Sequence, residues 1–368
     1  MLGSPSKASC RVTIKKKKKP DGLVNVSEGK AELSQMLDTT PEVSPMPSPL
    51  SQSIFSLTDN SNDNGSTLSE VTSEDLDRSK VVIGKIESSS IHKICSTQVI
   101  ISLTSVVKEL IENALDAKST SIEIKFTNMG LDSVEVIDNG IGISANNFNN
   151  VVKKHHTSKI RSFDDIQSVT TFGFRGEALS SICCMSNLSI CTKTNIDSMA
   201  TLLFFDKGNA LTSQETVPRS KTGTSIKVSD LFKTYPVRYK EFEKNIKREY
   251  AKCVSIIQGY ALSSEGVTFI CNNKMSNKEN NQKVLVTHGK SLKDNIVTIF
   301  SLKEFNKLTE MNFQQDTPHY IRINGYISKP EKGCGRSSNE RQFIFVNKRR
   351  FLNNADFDTL KALSICQK

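Results

Sequence analysis

The chain has 368 residues, with 49 Lys and Arg against 39 Asp and Glu, and a formal net charge of +10 at pH 7. Its N-terminus places charges and prolines where a signal peptide needs an apolar run, and no apolar stretch reaches the ~20 residues that cross a bilayer. The sequence therefore predicts neither a secreted protein nor a membrane protein. Nine cysteines without a C-x-x-C pair or a zinc-ligand spacing to histidine favour reduced, mostly buried thiols inside a cell.

Residues 1–78 differ in composition from the rest of the chain. They hold six of the ten prolines, many Ser, Thr, Asn and Asp, and very few aromatic residues, so the sequence predicts a disordered tail. The tail carries 9 basic and 11 acidic residues, which leaves +12 on residues 79–368. A basic folded region favours a polyanionic partner. The five-lysine run at 15–19 is either a nuclear localisation patch or a solvated charge run.

The segment Ile83 to Val99 has no clear period and is interpreted as an arm that docks on another surface. The next segment, Val106 to Ala117, has the period of a helix. One side of this helix is apolar and the other carries only acids and an amide, with Lys108 displaced around the helix. The apolar side contains Val107, Leu110, Ile111 and Ala114, and the polar side contains Glu109, Glu112, Asn113 and Asp116.

The polar stripe suits a hard cation shared with phosphates. Asn113 offers a neutral carbonyl oxygen, and Glu109 lies one turn away, within reach of a water molecule. An ordinary solvent-exposed helix face is the alternative interpretation of this segment alone.

Two alternating runs, at 121–126 and 132–138, predict a β-hairpin that ends in D-N-G-I-G. Asp138 lies at the end of the second strand, where its carboxylate can accept from an N–H edge such as an adenine amino group. Gly140 and Gly142 let the backbone approach a planar ligand. The alternative is an ordinary turn.

Residues 148–154 are predicted to be helical and lead to H-H-T-S-K at 155–159, where adjacent histidines point apart and indicate no zinc site. A loop flanked by Gly173 and Gly176 then enters a predicted helix over 177–184. Backbone N–H groups at such a helix start form an anion site, and the two glycines let phosphate oxygens approach.

The remaining pattern predicts strands, helices and a change of domain. Strands are predicted at 188–192, 200–206, 223–228, 320–328 and 341–347, helices at about 244–262, 292–300 and from about 355, and a polar loop at 272–282. A boundary near Gly289 gives three parts: the tail at 1–78, a first domain at 79–289 and an incomplete second domain at 290–368.

Five strings occur in the order E-L-I-E-N-A-L-D-A, D-N-G-I-G, T-S-K, G-F-R-G-E-A-L-S-S-I and F-V-N-K-R. Together they resemble the MutL family of mismatch-repair proteins, with G-F-R-G-E-A-L the most specific. The K-H-H-T-S-K and L-F-x-T-x-P-V-R-x-K-E-F runs are most similar to the eukaryotic PMS type. The other motifs are shared with the wider GHKL superfamily of gyrase B, heat-shock chaperones and histidine kinases. The resemblance covers roughly residues 80–368.

This resemblance implies an α+β fold: a GHKL-type α/β sandwich, with a mixed sheet backed by helices, followed by a truncated ribosomal-protein-S5-like domain. It also implies an ATP-driven clamp that requires Mg²⁺. Glu109 is then the base that activates water, Asn113 the magnesium ligand and Asp138 the adenine reader, with Gly142 and Thr224 completing the adenine pocket. The triphosphate is expected to lie against Thr157, Ser158, Lys159, Gly173, Phe174, Arg175, Gly176, Glu177, Ala178 and Leu179.

The resemblance further implies a nuclear protein that forms a heterodimer with another MutL homologue, works with a MutS-type mismatch-recognition complex and has no membrane partner. Non-sequence-specific DNA binding is expected at Lys244, Lys247, Arg248, Lys252, Lys348, Arg349 and Arg350. The family's late N-x-x-P-x-K lysine and the C-terminal endonuclease of the PMS type have no counterpart in the sequence, so the chain is interpreted as either a fragment or a truncated gene model. A nucleotide-gated DNA-binding scaffold without turnover is the alternative function.

Overall fold

The computed structural model describes residues 9–14, 85, 87–162, 164–165, 171–173, 175–276, 281–316, 321–338, 340–347 and 349–351. Apart from Lys85, the described residues belong to one compact unit, and every element below lies in it. The described helices are α1 (Ser88–Val99), α2 (Leu103–Asp116), α3 (Ala178–Met185), α4 (Pro236–Lys244), α5 (Ile246–Ser263), α6 (Leu292–Phe300) and α7 (Leu302–Phe305). The strands are β1 (Ser9–Ile14), β2 (Ser121–Thr127), β3 (Ser133–Asp138), β4 (Asn187–Lys193), β5 (Ala200–Phe205), β6 (Leu211–Val217), β7 (Gly223–Ser229), β8 (Thr268–Lys274), β9 (Gln282–Val286), β10 (Leu308–Gln315), β11 (Ile321–Ser328), β12 (Ile344–Val346) and β13 (Arg349–Phe351).

The larger sheet is mixed and has eight strands, in the order β6-β5-β4-β7-β3-β2-β8-β9. Every neighbouring pair is antiparallel except β2 and β8, which are parallel. The predicted hairpin is confirmed, since β2 pairs with β3 and places Ile122 opposite Asp138. In β2 the alternating residues Ile122, Ile124 and Phe126 are buried, as expected for a strand with one face against helices.

Helix α2 lies at the centre of the main core. The Ser102 side chain accepts from the Ser105 amide at 3.2 Å and caps the helix start. The predicted apolar stripe is confirmed, because its four residues are at most 2% exposed and pack in one cluster with residues of β2 and β3. Helix α2 also packs against α5.

Several predicted boundaries change in the structure. The long helix predicted at 244–262 is two helices, α4 and α5, which meet at Asn245. The segment 148–154 forms turns after a 3₁₀ turn at Ala145–Asn147, where asparagine side chains compete with a helix for backbone hydrogen bonds. Part of the predicted polar loop at 272–282 continues strand β8 as far as Lys274.

The predicted tail and the predicted arm each contain a secondary-structure element that was not expected. The prediction of a disordered tail is wrong for Ser9–Ile14, which form β1 between β11 and β12. This stretch reads S-C-R-V-T-I, a short alternating pattern that the average composition of residues 1–78 conceals. The predicted arm contains helix α1.

The smaller sheet has the order β10-β11-β1-β12-β13. A separate cluster formed by Leu262, Ile296, Phe343 and Phe345 packs beside it. The last strand of the larger sheet ends at Val286, and the next strand, which begins at Leu308, belongs to the smaller sheet. The predicted helix Leu292–Phe300 is confirmed and lies between these two strands in the sequence. The division at residue 289 and the S5-like assignment stay predictions, and the helix predicted from about residue 355 lies outside the described residues.

In the described part of the chain, none of the helices is long and apolar enough to cross a membrane. Seven of the cysteines described there, all from Cys95 onward, are free thiols, and four of these seven are buried. Burial raises the pKa of the Cys183, Cys253 and Cys271 thiols to about 12. These three side chains therefore behave as small apolar groups in the core.

Candidate functional site

The end of α2 is organised around Asp116, whose side chain is 7% exposed. Its carboxylate receives Lys159 Nζ at 2.6 Å and the backbone N–H groups of Phe172 and Gly173 at 2.9 and 3.2 Å. Lys159 Nζ also donates to Asn113 Oδ1 at 3.1 Å. A helix, the 155–159 segment and the glycine loop are thus joined at one carboxylate, which the sequence placed on the polar stripe but gave no role.

Gly173 lies beside these groups. A Cβ added there would stand 3.3 Å from Lys159 Nζ and 4.0 Å from Asn113 Oδ1, so the absence of a side chain at residue 173 lets the loop backbone lie close to both groups. A cation and loop N–H groups are the groups that bind phosphates, and the neutral carbonyl oxygen of Asn113 suits a hard cation shared with them.

Glu109 lies one turn before Asn113 on α2, with 29% of its side chain exposed. Its Oε1 accepts from Lys108 Nζ at 3.1 Å, and the same ammonium donates to Glu112 Oε2 at 2.8 Å. Burial lowers the pKa of Lys108, but the carboxylates of Glu109 and Glu112 outweigh it, and the net shift is upward. The predicted displacement of Lys108 from the acidic stripe is therefore wrong, since its flexible stem reaches back to both acids.

Glu112 was predicted on the solvent-facing stripe but is only 8% exposed. Its Oε1 accepts from the Tyr260 hydroxyl on α5 at 2.5 Å. The packing of α5 against α2 covers this part of the stripe, so Glu109, Asn113 and Asp116 remain as the residues at the candidate site.

Asp138 ends strand β3 and is 8% exposed. Its Oδ1 accepts from Gly140 N at 2.7 Å, Ser119 Oγ at 3.2 Å and Thr224 N at 3.3 Å, and none of the described residues donates to Oδ2. Burial raises the pKa of the Asp138 carboxyl, opposed by these three donors. A buried carboxylate with one oxygen unpaired is suited to an N–H ligand.

The wall beside Asp138 is made by backbone and threonine hydroxyls. Thr224 and Thr192 hydroxyl oxygens are 3.1 Å apart, and Thr192 accepts from Ile143 N at 2.8 Å. Gly142 has φ +77°, and a Cβ there would clash with the Lys193 carbonyl oxygen. Of the predicted pair, Thr224 contacts the Asp138 carboxylate through its N–H, whereas Gly142 packs against the Lys193 backbone.

The two ends of the site are continuous. Ser119 Oγ donates to the Ala114 carbonyl oxygen at 2.7 Å and also contacts Asp138 Oδ1, while Ile141 N donates to the Ala117 carbonyl oxygen at 3.2 Å. The last turn of α2 thus connects the Asp138 pocket with the cluster around Asp116.

The rest of the predicted phosphate loop is described in part. Thr157 Oγ1 accepts from Lys159 N at 3.2 Å, and the Gly176 carbonyl accepts from His155 N at 3.0 Å, which places the 155–159 segment against the loop. The Glu177 carboxylate does not cap α3 but faces Lys154 and His155 at 3.8 and 3.6 Å. Arg175 and Ser158 are exposed, Gly176 and Leu179 are half-buried, Ala178 begins α3, and Phe174 lies outside the described residues.

The residues predicted to bind DNA divide into two groups. Four exposed side chains on α4 and α5 remain candidates, and they are Lys244, Lys247, Arg248 and Lys252, the last of which pairs with Glu249 at 2.7 Å. Arg349 is exposed and donates to the Thr171 carbonyl at 2.6 Å. The Arg350 guanidinium lies 4.8 Å from the Phe343 ring centre and donates to the Ser255 carbonyl at 2.9 Å, so we assign it a packing role in place of a phosphate contact. Lys348 lies outside the described residues.

Comparison with known proteins identifies the region that carries this site. Residues 101–232 match the family described as histidine kinase-, DNA gyrase B-, and HSP90-like ATPase. DNA mismatch repair protein PMS1 of Arabidopsis thaliana is 46% identical over 272 residues, which cover 74% of this chain and 29% of that protein. The chain spans about a third of the length of the curated relatives it matches.

Solved structures agree with this match. The N-terminal domain of a DNA repair protein is 39% identical, with a TM-score of 0.63 and coverage of 72% of this chain and 78% of that one. The ATPase domain of Aquifex aeolicus MutL, in complex with ADP, has a TM-score of 0.51 and 24% identity over 71% of this chain and 87% of that one, a likeness that supports the fold alone. The chain therefore belongs to the MutL family of DNA mismatch-repair proteins, among the relatives of PMS type, and carries a GHKL-type ATPase domain.

Proposed function

We propose that this chain binds and hydrolyses ATP with Mg²⁺ at the site built on α2 and β3. The observation that carries the proposal is the continuity of the site. The loop at Gly173, which lies close to Lys159 and Asn113, is joined through the last turn of α2 to Asp138, whose Oδ2 receives no hydrogen bond from the described residues. A ligand with a hydrogen-bonding base and a chain of phosphates matches both ends.

The described residues fit a nucleotide with magnesium better than a metal ion held by protein alone. Among them, no group of three or more His, Cys, Asp and Glu side chains could hold a metal. Asn113 Oδ1 supplies a neutral oxygen beside the Lys159 ammonium, which suits a magnesium ion that takes its other ligands from phosphates and water. Magnesium supplies charge neutralisation at the phosphate oxygens when it is bound.

Each protein group then has a defined task. Asp138 accepts from the base, and Lys159 with the loop N–H groups holds phosphate. Glu109 has no direct contact with Lys159 or Asp116 among the described residues and is partly exposed, so its carboxylate is available to take a proton from water.

We also propose that ATP binding gates a clamp on mismatched DNA. The support is the relatedness to PMS-type mismatch-repair proteins, the charge of +12 on residues 79–368 and the exposed basic residues of α4 and α5. The same relatedness supports a heterodimer with another MutL homologue, cooperation with a MutS-type mismatch-recognition complex and a location in the nucleus.

The proposal is tested by phosphate release from ATP by the purified chain, with magnesium and with excess chelator, beside a measurement of nucleotide affinity. We expect slow turnover that the chelator abolishes. Tight nucleotide binding without phosphate release would favour a nucleotide-gated scaffold, and the absence of nucleotide binding would overturn the assignment of the site.

A further inference from the structure

Glu109 is connected to the interior of the protein by a chain of three side chains. Lys108 Nζ contacts Glu109 Oε1 at 3.1 Å and Glu112 Oε2 at 2.8 Å, and Tyr260 Oη donates to Glu112 Oε1 at 2.5 Å. Tyr260 is 5% exposed and belongs to α5, while the other three residues belong to α2. The chain therefore runs from a core tyrosine to the candidate base.

Burial makes the pairing of Glu112 demanding. A buried carboxylate needs partners for both oxygens, because an oxygen without one loses its hydration and gains nothing in return. The tyrosine hydroxyl satisfies Oε1 and the ammonium satisfies Oε2. With Oε1 satisfied by Tyr260, Lys108 can divide its donors between Glu112 and Glu109.

The tyrosine itself is fixed from another side. Its ring meets Phe172 edge-on, with centroids 6.2 Å apart and an interplanar angle of 76°. Burial, followed by the nearby charge of Glu112, raises the pKa of Tyr260 far above its usual value, so the hydroxyl keeps its proton and remains a donor. The Phe172 N–H in turn donates to Asp116. The ring contact between Tyr260 and Phe172 therefore connects the side chains that hold Glu109 with the cluster around Asp116.

We propose that Tyr260 is a positioning residue for ATP hydrolysis, which holds Glu109 in place through Glu112 and Lys108. This inference rests on the proposed function, in which Glu109 activates water. Without the hydroxyl, Glu112 Oε1 loses its partner, and Lys108 is drawn from Glu109 toward Glu112. Glu109 then loses the hydrogen bond that orients its carboxylate, while the groups around Asp138 and Asp116 keep theirs.

The first test is Tyr260→Phe, which removes the hydroxyl and retains the ring against Phe172. We expect kcat to fall by roughly tenfold, as for the loss of a hydrogen bond to a buried charged group, with ATP affinity changed by less than about twofold. Tyr250→Phe is the matched control. Tyr250 lies on the same helix, with its ring edge-on to Phe126 at 5.2 Å, and no hydrogen bond among the described residues joins its hydroxyl to α2. Its kcat should stay at the wild-type value.

A second variant, Lys108→Met, changes the same series of side-chain contacts at a more exposed residue. Lys108 is 35% exposed, so Lys108→Met should fold even if the core change at Tyr260 does not. We expect the same pattern, with a lower kcat and nearly unchanged ATP affinity. In a Glu109→Ala background, Tyr260→Phe or Lys108→Met should alter the residual turnover by less than about twofold, because the positioned group is gone.

The outcomes separate this inference from the proposed function. If Glu109→Ala retains wild-type turnover, Glu109 is not the base and both proposals fall. If Glu109→Ala is inactive but Tyr260→Phe and Lys108→Met keep full kcat, the positioning role alone is wrong. It is equally wrong if either change lowers residual turnover by the same factor in the Glu109→Ala background, or lowers ATP affinity in parallel with kcat.

Discussion

The two ends of the candidate site are built in different ways. At the Asp138 end, the carboxylate is fixed by two backbone N–H groups and one serine hydroxyl, and Asp138 and Thr224 lie on the neighbouring strands β3 and β7. At the Asp116 end, ionic side chains hold one another, with Lys159 bound to Asp116 and Asn113. A base can enter the first end without breaking a protein contact, whereas phosphate and magnesium must compete for groups that already have partners.

This difference predicts which substitutions should change ATP affinity and which should change turnover. The Asp138 end is preformed, so changes there should act on affinity, which depends on contacts that are present before the ligand arrives. The other end rearranges its contacts when the ligand arrives, so changes there should affect magnesium dependence and turnover. The predictions that follow run from the largest expected effect to the smallest.

The largest expected effect is that of Glu109→Ala, which tests whether Glu109 acts in turnover and not in ATP binding. We expect turnover to fall by about 10²- to 10⁴-fold, because a positioned general base is lost, while ATP affinity stays near the wild-type value.

Asn113→Ala removes a proposed magnesium ligand and should weaken Mg-ATP binding by at least about tenfold, or about 1.4 kcal/mol. Both are measured by phosphate release and by titration with nucleotide.

Magnesium provides the control for this pair. In excess chelator, Asn113→Ala and wild type should bind ATP within about threefold of each other, because the lost ligand no longer matters. Equal losses of Mg-ATP affinity in both variants would contradict the separate roles of Glu109 and Asn113.

Asp138→Asn tests the preformed end. The amide nitrogen of the new side chain would present donors to the base in place of an acceptor, so ATP affinity should fall by about 10- to 100-fold, the equivalent of one hydrogen bond to a charged group. The bound nucleotide should still be hydrolysed at a rate near that of the wild type. A fall in kcat at saturating ATP with unchanged affinity would show that Asp138 does not read the base.

The raised pKa of Asp138 gives this variant a pH signature. Because the folded-state pKa lies above the unfolded value, the ionised carboxyl destabilises the folded protein above the folded pKa, and this penalty vanishes as pH falls to the unfolded value. Without nucleotide, Asp138→Asn should therefore be more stable than wild type at neutral pH, and the difference should shrink as pH falls through the folded pKa. Urea unfolding at several pH values measures it, and a difference independent of pH would contradict the burial argument.

The basic residues of α5 lie outside both ends and should give the smallest effect on ATP chemistry. Charge reversal at Lys247 and Arg248 should reduce the log–log salt slope of DNA binding by ~0.9 for each phosphate that the variant no longer neutralises, without changing any sequence preference. ATP turnover without DNA should stay within about twofold of wild type. Fluorescence anisotropy with two unrelated duplexes at several salt concentrations measures the slope.

The matched control reverses two exposed lysines elsewhere, Lys227 and Lys283. Lys227 alternates with the buried Ile226 and Val228 on β7 and so projects from the face of the sheet opposite the core. This control changes net charge by the same amount. An equal fall in slope in the control would mean that overall charge, and not the surface of α5, attracts DNA.

The sequence was most informative where the pattern is local. The period of α2 predicted its buried stripe, and the alternation of β2 and β3 predicted a hairpin that ends at Asp138. The glycines at 140, 142, 173 and 176 indicated close approach, and Gly142 and Gly176 adopt positive φ. These features depend on neighbours within a few residues, so one sequence contains enough information.

Contacts between distant residues were not predictable in the same way. Tyr260 meets Glu112 across 148 residues, and Lys159 meets Asp116 across 43, and neither pairing has a local signal. Glu112 was placed on the exposed side because the helix period alone cannot show that α5 covers it. Strand β1 escaped notice because six alternating residues were averaged with a proline-rich region.

The hydrogen bond from Arg349 to Thr171 joins strand β13 of the smaller sheet to the loop that contacts Asp116. Its acceptor is a backbone carbonyl, which every amino acid supplies, whereas its donor is a long cationic side chain. The two partners therefore differ in their tolerance of substitution. A substitution at residue 171 keeps the acceptor, whereas a substitution at residue 349 removes the guanidinium donor. Mutations that abolish this hydrogen bond are therefore expected at residue 349, in the smaller sheet.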